Sequence, residues 1–280
     1  MKIIPIASDS LGVRSMATFI ETKECRILID PSAAYTPKRY GLEPHESELE
    51  TYHKTKEKIR KIAEKCDILT ISHYHYDHYD PNEKYYFKKK VFAKDIYNSI
   101  NKSQNQRGKE FKEKFEKKCE LVYCDNSKHK FGDTEICFSQ PFFHGPENIR
   151  LGYVIMTTID DGKKRIIHSS DVQGPVTRDA KEYIISTKPD LLIMDGPPTN
   201  MLGFRFSKKN LELASSNLTE IISKLKCEVI LDHHLLRDLK YKEKFDKPYK
   251  IGKKNVKTFA EYLGKENNTL EAHRKILWGK

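Results

Sequence analysis

The 280-residue chain is predicted to be an α/β protein in which mixed β-sheets are layered with helices. Three observations lead there. Continuous apolar runs such as DILTIS (67–72) and EVIL (228–231) have the composition of strands buried on both faces. Two charged stretches, within 35–65 and after Ser207, carry apolar residues at helical spacing. Between residues 120 and 171, short β-rich runs alternate with the turn signals FGD and DDGK, as in a β-meander.

The elements follow in order. IIPIAS, SMATFIET and CRILID read as three strands separated by SDSLG and TKE, and Pro31 ends the third. The polar stretch from Tyr35 leads into an amphipathic helix carrying Leu49, Ile59 and Ile62 and ending near Lys65. DILTIS is the next strand and KVFAK a short one after it. Residues 95–118 form a charged helical segment. ELVYC, TEICFSQPFFH, YVIMTTID and KRIIHSSD make up the meander, and DLLIMDGPP is a strand ending in a turn. Ser207 is the N-cap of a helix with the stripe Leu211, Leu218, Ile221, Ile222 and Leu225. EVIL runs directly into DHH, and the lysine-rich segment 241–280 includes a helix through TLEAHRKILWG. One domain spanning 1–280 is expected, with 35–65 as a helical insertion and 241–280 as an extension.

Composition narrows the class. Lys plus Arg is 51 against 40 for Asp plus Glu, a net charge of +11. A positive surface draws anions. The lysines are spread along the whole chain, which is the pattern of a generally ionic, heat-adapted surface. The 6 cysteines form no CxxC pair and several lie in apolar runs, so a reducing cytoplasm is the expected location. The apolar run at the N-terminus is too short for a signal peptide, and no stretch approaches membrane-spanning length.

The chemistry concentrates in ISHYHYDHYD, residues 71–80. On an extended segment His73, His75 and Asp77 share one face, and Tyr74 and Tyr76 the other. His78 breaks the alternation and requires a turn. The cluster follows a buried strand, where α/β sheets place their sites. Imidazoles and a carboxylate gathered in a small space oppose one another unless a cation such as Zn²⁺ lies between them. Three further donor-type positions also close apolar strands: His144 after ICFSQPFF, Asp171 after RIIHSS, and His233 and His234 after CEVILD. His168, three residues before Asp171, falls on the opposite face and reads as a core residue.

With these motifs in order, the chain resembles the metallo-β-lactamase superfamily of hydrolases. HYHYDH at 73–78 matches the family's H-x-H-x-D-H signature. His144 resembles its next lone histidine, Asp171 in SSDVQG its bridging aspartate, and DHHLLRD its final histidine. LIDPS, with Asp30, resembles its early supporting aspartate. The whole chain also resembles an archaeal branch of predicted metal-dependent hydrolases. The resemblance implies a four-layer αββα sandwich and two divalent ions, zinc first, with manganese or iron as alternatives. His73, His75 and His144 would hold one ion and Asp77, His78 and His233 the other, with Asp171 bridging. His234 is the alternative to His233. Asp30 and Asp195 are the candidate acceptors behind the ligand histidines.

Two such cations would lower the pKa of a shared water to give hydroxide near neutral pH. Asp77 would accept or shuttle a proton, and Arg237 stands where phosphoesterase-like members carry an arginine. The expected substrate is a small phosphorylated or nucleotide-type phosphoester, with a lactone or thioester as the alternative. His75, where the redox diiron branch usually has a carboxylate, argues against that branch. The short span from Asp171 to His233 leaves no room for the inserted domain of the family's nucleases. A nucleic-acid-binding protein that keeps the fold without catalysis is the expectation of another class; it rests on lysine–aromatic segments such as KYYFKKK.

Overall fold

The chain lays down one sheet before Cys124 and a second after it, and the two close face to face. In the computed structural model, which describes residues 1–280, the first sheet contains β1 (Lys2–Pro5), β2 (Thr18–Glu21), β3 (Arg26–Ile29), β4 (Ile68–Ile71), β5 (Lys90–Ala93) and β6 (Glu120–Tyr123) in sequential order. Its first two pairings are antiparallel and the rest parallel. The helix α1 (Glu46–Ala63) makes the parallel crossover from β3 to β4, and α2 (Lys102–Phe115) the one from β5 to β6.

The second sheet begins as a meander: β7 (Ser127–Phe131), β8 (Thr134–Phe138), β11 (Thr157–Asp160) and β12 (Arg165–His168), all antiparallel. A small pair, β9 (Phe142–Phe143) with β10 (Tyr153–Val154), lies between β8 and β11 in the chain. The sheet then turns parallel through β13 (Leu191–Met194), β14 (Glu228–Leu231) and β15 (Val256–Lys257). The crossovers are α3 (Arg178–Thr187) and α4 (Lys208–Leu225), the latter capped by Ser207, whose side chain accepts from the Asn210 amide. Short helices α5 (Tyr241–Lys244), α6 (Asp246–Gly252), α7 (Phe259–Tyr262) and α8 (Arg274–Leu277) make up the tail.

Alternation along the strands sorts the apolar residues into layers. Ile27, Ile29, Ile68 and Phe92 of the first sheet meet Ile136, Ile166, Leu191, Ile193 and Ile230 of the second. On the other face of the first sheet, Leu28, Leu69 and Val91 pack under Ile59 and Ala63 of α1 and Phe111 and Phe115 of α2. On the other face of the second, Leu192, Met194 and Val229 pack under Ile184 of α3 and Leu218 and Ile221 of α4. The result is the expected αββα sandwich. The 35–65 segment contributes one of its outer-layer helices, because α1 sits on the sheet rather than beyond it.

The two ends of the chain meet. Asp232, just past β14, accepts hydrogen bonds from the amides of Ser10 (3.0 Å), His233 (2.7 Å) and Phe259 (2.8 Å). Ser10 in turn accepts from the amides of Ala260 and Asn268. Further along the tail, the fully buried Arg274 pairs with Glu48 of α1 at 2.7 Å and donates to the carbonyls of Leu42 and Thr36. No helix is long and apolar enough to cross a membrane, and all 6 cysteines are free.

Candidate metal centre

The parallel strands end along one edge, and the donor residues follow from those ends. After β4 the chain leaves as Ser72-His73-Tyr74-His75-Tyr76-Asp77-His78. Tyr74 anchors this loop from behind: its ring is fully buried edge-on to Tyr79, and its hydroxyl donates to the Lys94 carbonyl at 2.8 Å. The amide of His78 donates to the His75 carbonyl at 2.9 Å, which is the turn the sequence requires there.

Two sets of donor atoms result. In one, His144 Nε2 lies 3.2 Å from His75 Nδ1 and 3.1 Å from Asp171 Oδ2, and His73 Nε2 lies 3.7 Å from the same oxygen. In the other, Asp77 is 4.0 Å from His78 Nε2 and 3.6 Å from His233 Nε2. Asp171 faces both sets, with Oδ2 3.2 Å from His78 Nε2 and Oδ1 3.7 Å from His233 Nε2. Within each set all the donor atoms lie within 4.8 Å of one another. His234 Nε2 also reaches Asp171 Oδ2, at 3.6 Å. Adjacent residues of an extended chain would point apart; here His233 has φ of 52°, and this left-handed step lets both imidazoles turn inward.

Behind the donors stands a row of acceptors. His78 Nδ1 meets Asp30 at 2.8 Å, and Asp30 also accepts from the Ser72 amide and hydroxyl. His73 Nδ1 meets the hydroxyls of Ser72 and Ser170 at 3.0 and 3.2 Å. His234 Nδ1 meets Asp195 at 2.8 Å, and Asp195 also caps the turn by accepting from the Gln173 amide. His233 Nδ1 meets Asp9 at 2.8 Å. The sequence reading missed Asp9, whose only local signal is a polar turn, Ser8-Asp9-Ser10. Arg237 is buried beside it: Nε donates to Asp9 at 3.0 Å, and one terminal nitrogen lies 3.6 Å from Asp77 and 3.1 Å from His233 Nε2. Those contacts set its guanidinium among Asp9, Asp77 and His233. His168 donates to or accepts from no member of the cluster; its Nε2 meets the Met16 carbonyl at 2.9 Å, deep in the core.

The electrostatics of the cluster are divided between neutral and charge-favouring imidazoles. Burial pushes His73 and His234 well below the ordinary imidazole value and His75 down to about 3. These rings are therefore neutral, the form that binds metal. Burial also opposes charge on His78, but Asp171 and Asp30 on either side hold it well above the usual value. His233 is raised to about 9: burial and Arg237 work against protonation, and Asp171 and Asp9 outweigh them. Burial would raise Asp77 and Asp171, yet the facing imidazoles, with Arg237 for Asp77, hold both carboxyls below the usual range. Asp195 is raised by burial and by Asp171. His73 Nε2, His78 Nε2 and Asp171 Oδ1 are buried with no hydrogen-bond partner. Such orphans cost about 1–3 kcal/mol each. A divalent ion would satisfy all three, and the nitrogen and oxygen donor set suits zinc-like metals. Asp77, 17% exposed, and His75 form the side open to solvent.

Two mixed sheets packed face to face between helices, with a buried His/Asp cluster at one edge, define a metallo-β-lactamase-fold protein with a site consistent with metal binding. A UPF0282 protein of Methanocaldococcus jannaschii is 46% identical over 98% of this chain and 96% of its own length. The chain belongs to the UPF0282 family of archaeal proteins. A scan against protein-family models finds no match. Among solved structures, the isothiocyanate hydrolase from Delia radicum gut bacteria superposes with a TM-score of 0.55 at 13% identity, over 87% of this chain and 93% of that one. The metallo-β-lactamase fold protein YhfI from Bacillus subtilis gives a TM-score of 0.49 at 15% identity, covering 88% and 86%. At 13% identity the likeness to the first is one of fold alone.

Proposed function

We propose that the protein is a metal-dependent hydrolase with a dinuclear centre, zinc first among the candidate ions, and a phosphodiester as its preferred substrate class. The observation that carries this is the position of Asp171, whose carboxylate faces both donor sets at once. In this reading His73, His75 and His144 hold one ion, Asp77, His78 and His233 the other, and Asp171 both. Divalent ions so held would supply Lewis acidity and a low-pKa water. The chain's own residues do the rest. Asp30, Asp9 and Asp195 fix the orientation of three imidazoles by hydrogen bonds of 2.8 Å. Asp77, partly open to solvent, is the carboxylate of the site placed to take a proton at a carboxylate oxygen. The excess of 51 basic over 40 acidic residues supports an anionic substrate.

A carbonyl substrate, lactone or thioester, is the second reading. The engagement of Arg237 by Asp9 and its contact with Asp77 favour it, because they use the guanidinium that would otherwise clamp a phosphate. The test is to measure bound metal and to assay zinc-loaded protein on bis(p-nitrophenyl) phosphate, p-nitrophenyl phosphate, a lactone and a thioester. Phosphodiester turnover supports the first reading and turnover of the carbonyl substrates alone the second. Two bound equivalents of metal without turnover of any of them refutes both.

A further inference from the structure

Every buried histidine of the cluster save one has an acceptor or hydroxyl behind it. His73, His78, His233 and His234 are matched to Ser72 and Ser170, Asp30, Asp9 and Asp195. The exception is His144, 1% exposed, whose Nε2 points at Asp171 and His75 while its Nδ1 has no partner. A ring that binds a cation through Nε2 carries its proton on Nδ1, so this nitrogen becomes a buried donor in need of an acceptor.

An acceptor without a donor lies close by. Gln173 is 4% exposed, and its Oε1 is buried with no hydrogen-bond partner. Its carboxamide rests on Gly145, the residue after His144: a β-carbon on that glycine would stand 2.6 Å from the carboxamide carbon. Gly145 has φ of 105°, so the glycine both permits the turn and leaves the room the amide occupies. The Gln173 backbone is held independently, with its amide on Asp195 at 2.9 Å and φ of 56°. The Gln173 carboxamide thus lies against the residue that follows His144.

We infer that Gln173 is the positioning residue for His144: on metal loading its Oε1 accepts the Nδ1–H of that imidazole and fixes the ring with Nε2 toward the ion. This rests on the reading of His144 as a metal ligand. The hydrogen bond removes two buried unsatisfied groups together, and it explains why an amide, rather than an apolar side chain, occupies a closed position.

The test uses zinc-loaded protein with ¹⁵N-labelled histidine. Wild type is expected to show a slowly exchanging Nδ1–H on His144, and Gln173→Leu to lose it. Zinc affinity, measured by competition with a chromogenic chelator, should fall about 10–100-fold in Gln173→Leu and be restored in Gln173→Glu, which keeps an acceptor. Metal-free Gln173→Leu should melt no lower than wild type, since an unpaired amide has been removed; a merely structural role would lower it. Unchanged affinity in Gln173→Leu, or failure of Gln173→Glu to restore it, overturns the inference. Failure of wild type itself to take up zinc is a different result, and it overturns the metal reading beneath the inference as well.

Discussion

Replacing Asp9 tests the part of the site that lies farthest from it in sequence. Asp9 accepts from His233 Nδ1 at 2.8 Å and from Arg237 Nε at 3.0 Å, and all three side chains are at least nine-tenths buried. Each charge-assisted hydrogen bond contributes about 1.5–3 kcal/mol. Removing one partner of a buried ion pair costs about 3–5 kcal/mol, because the other charge stays behind. Asp77, 3.6 Å from Arg237, compensates only in part. Asp9→Ala is therefore expected to lose about 3–5 kcal/mol in urea unfolding of the metal-free protein. Asp9→Asn keeps one acceptor oxygen and should lose roughly half as much. Metal affinity should fall about 10–100-fold in both, as the orientation of His233 is released. A change under about 1 kcal/mol in Asp9→Ala, with metal content equal to wild type, would refute this account of the contact.

Three more outcomes are expected. Stripping metal with a chelator should lower the unfolding midpoint, and restoring zinc at about 100 times its Kd should return about 2.7 kcal/mol; equal melting curves would argue against a resident ion. Arg274→Met should destabilise by about 3–5 kcal/mol, since it strands the buried Glu48 carboxylate and the carbonyls of Leu42 and Thr36. Limited proteolysis should then cut first in the tail. Glu83 should contribute an acid-sensitive part of the stability. Burial would raise its pKa, but Arg60 and Lys56 hold it below the ordinary 4.5. The unfolded chain thus binds this proton first, and stability present above about pH 4.5 is lost as pH falls through the lower folded value. Urea midpoints between pH 7 and pH 3 should fall less steeply in Glu83→Gln than in wild type.

Local signals carried much of the architecture. The strands DILTIS and EVIL, the Ser207 cap and the turn at His78 are consequences of neighbouring residues, and the structure shows each. Elements without a strong pattern of their own were lost. Helix α3 buries only Ala180 and Ile184, too few for a visible stripe, and the sequence reading passed over it. The helix read across 95–118 begins only at Lys102, because Asp95 turns the chain back by accepting from the Tyr97 amide. TLEAHRKILWG forms a helix only over Arg274–Leu277. In the site, donors at strand ends were legible because each closes an apolar run. Asp9 was not: what gives it meaning is contact with residues more than 200 positions away. Gln173 was hidden for the same reason, since only the folded chain sets its amide against Gly145.

The knot of amides on Asp232 has a bearing on biosynthesis. A ribosome that has released the first 240 residues has delivered every donor side chain, yet Phe259 and the tail that steadies the His233 turn are still inside it or unmade. The nascent polypeptide thus owns these side chains before the tail that steadies the His233 turn can reach them.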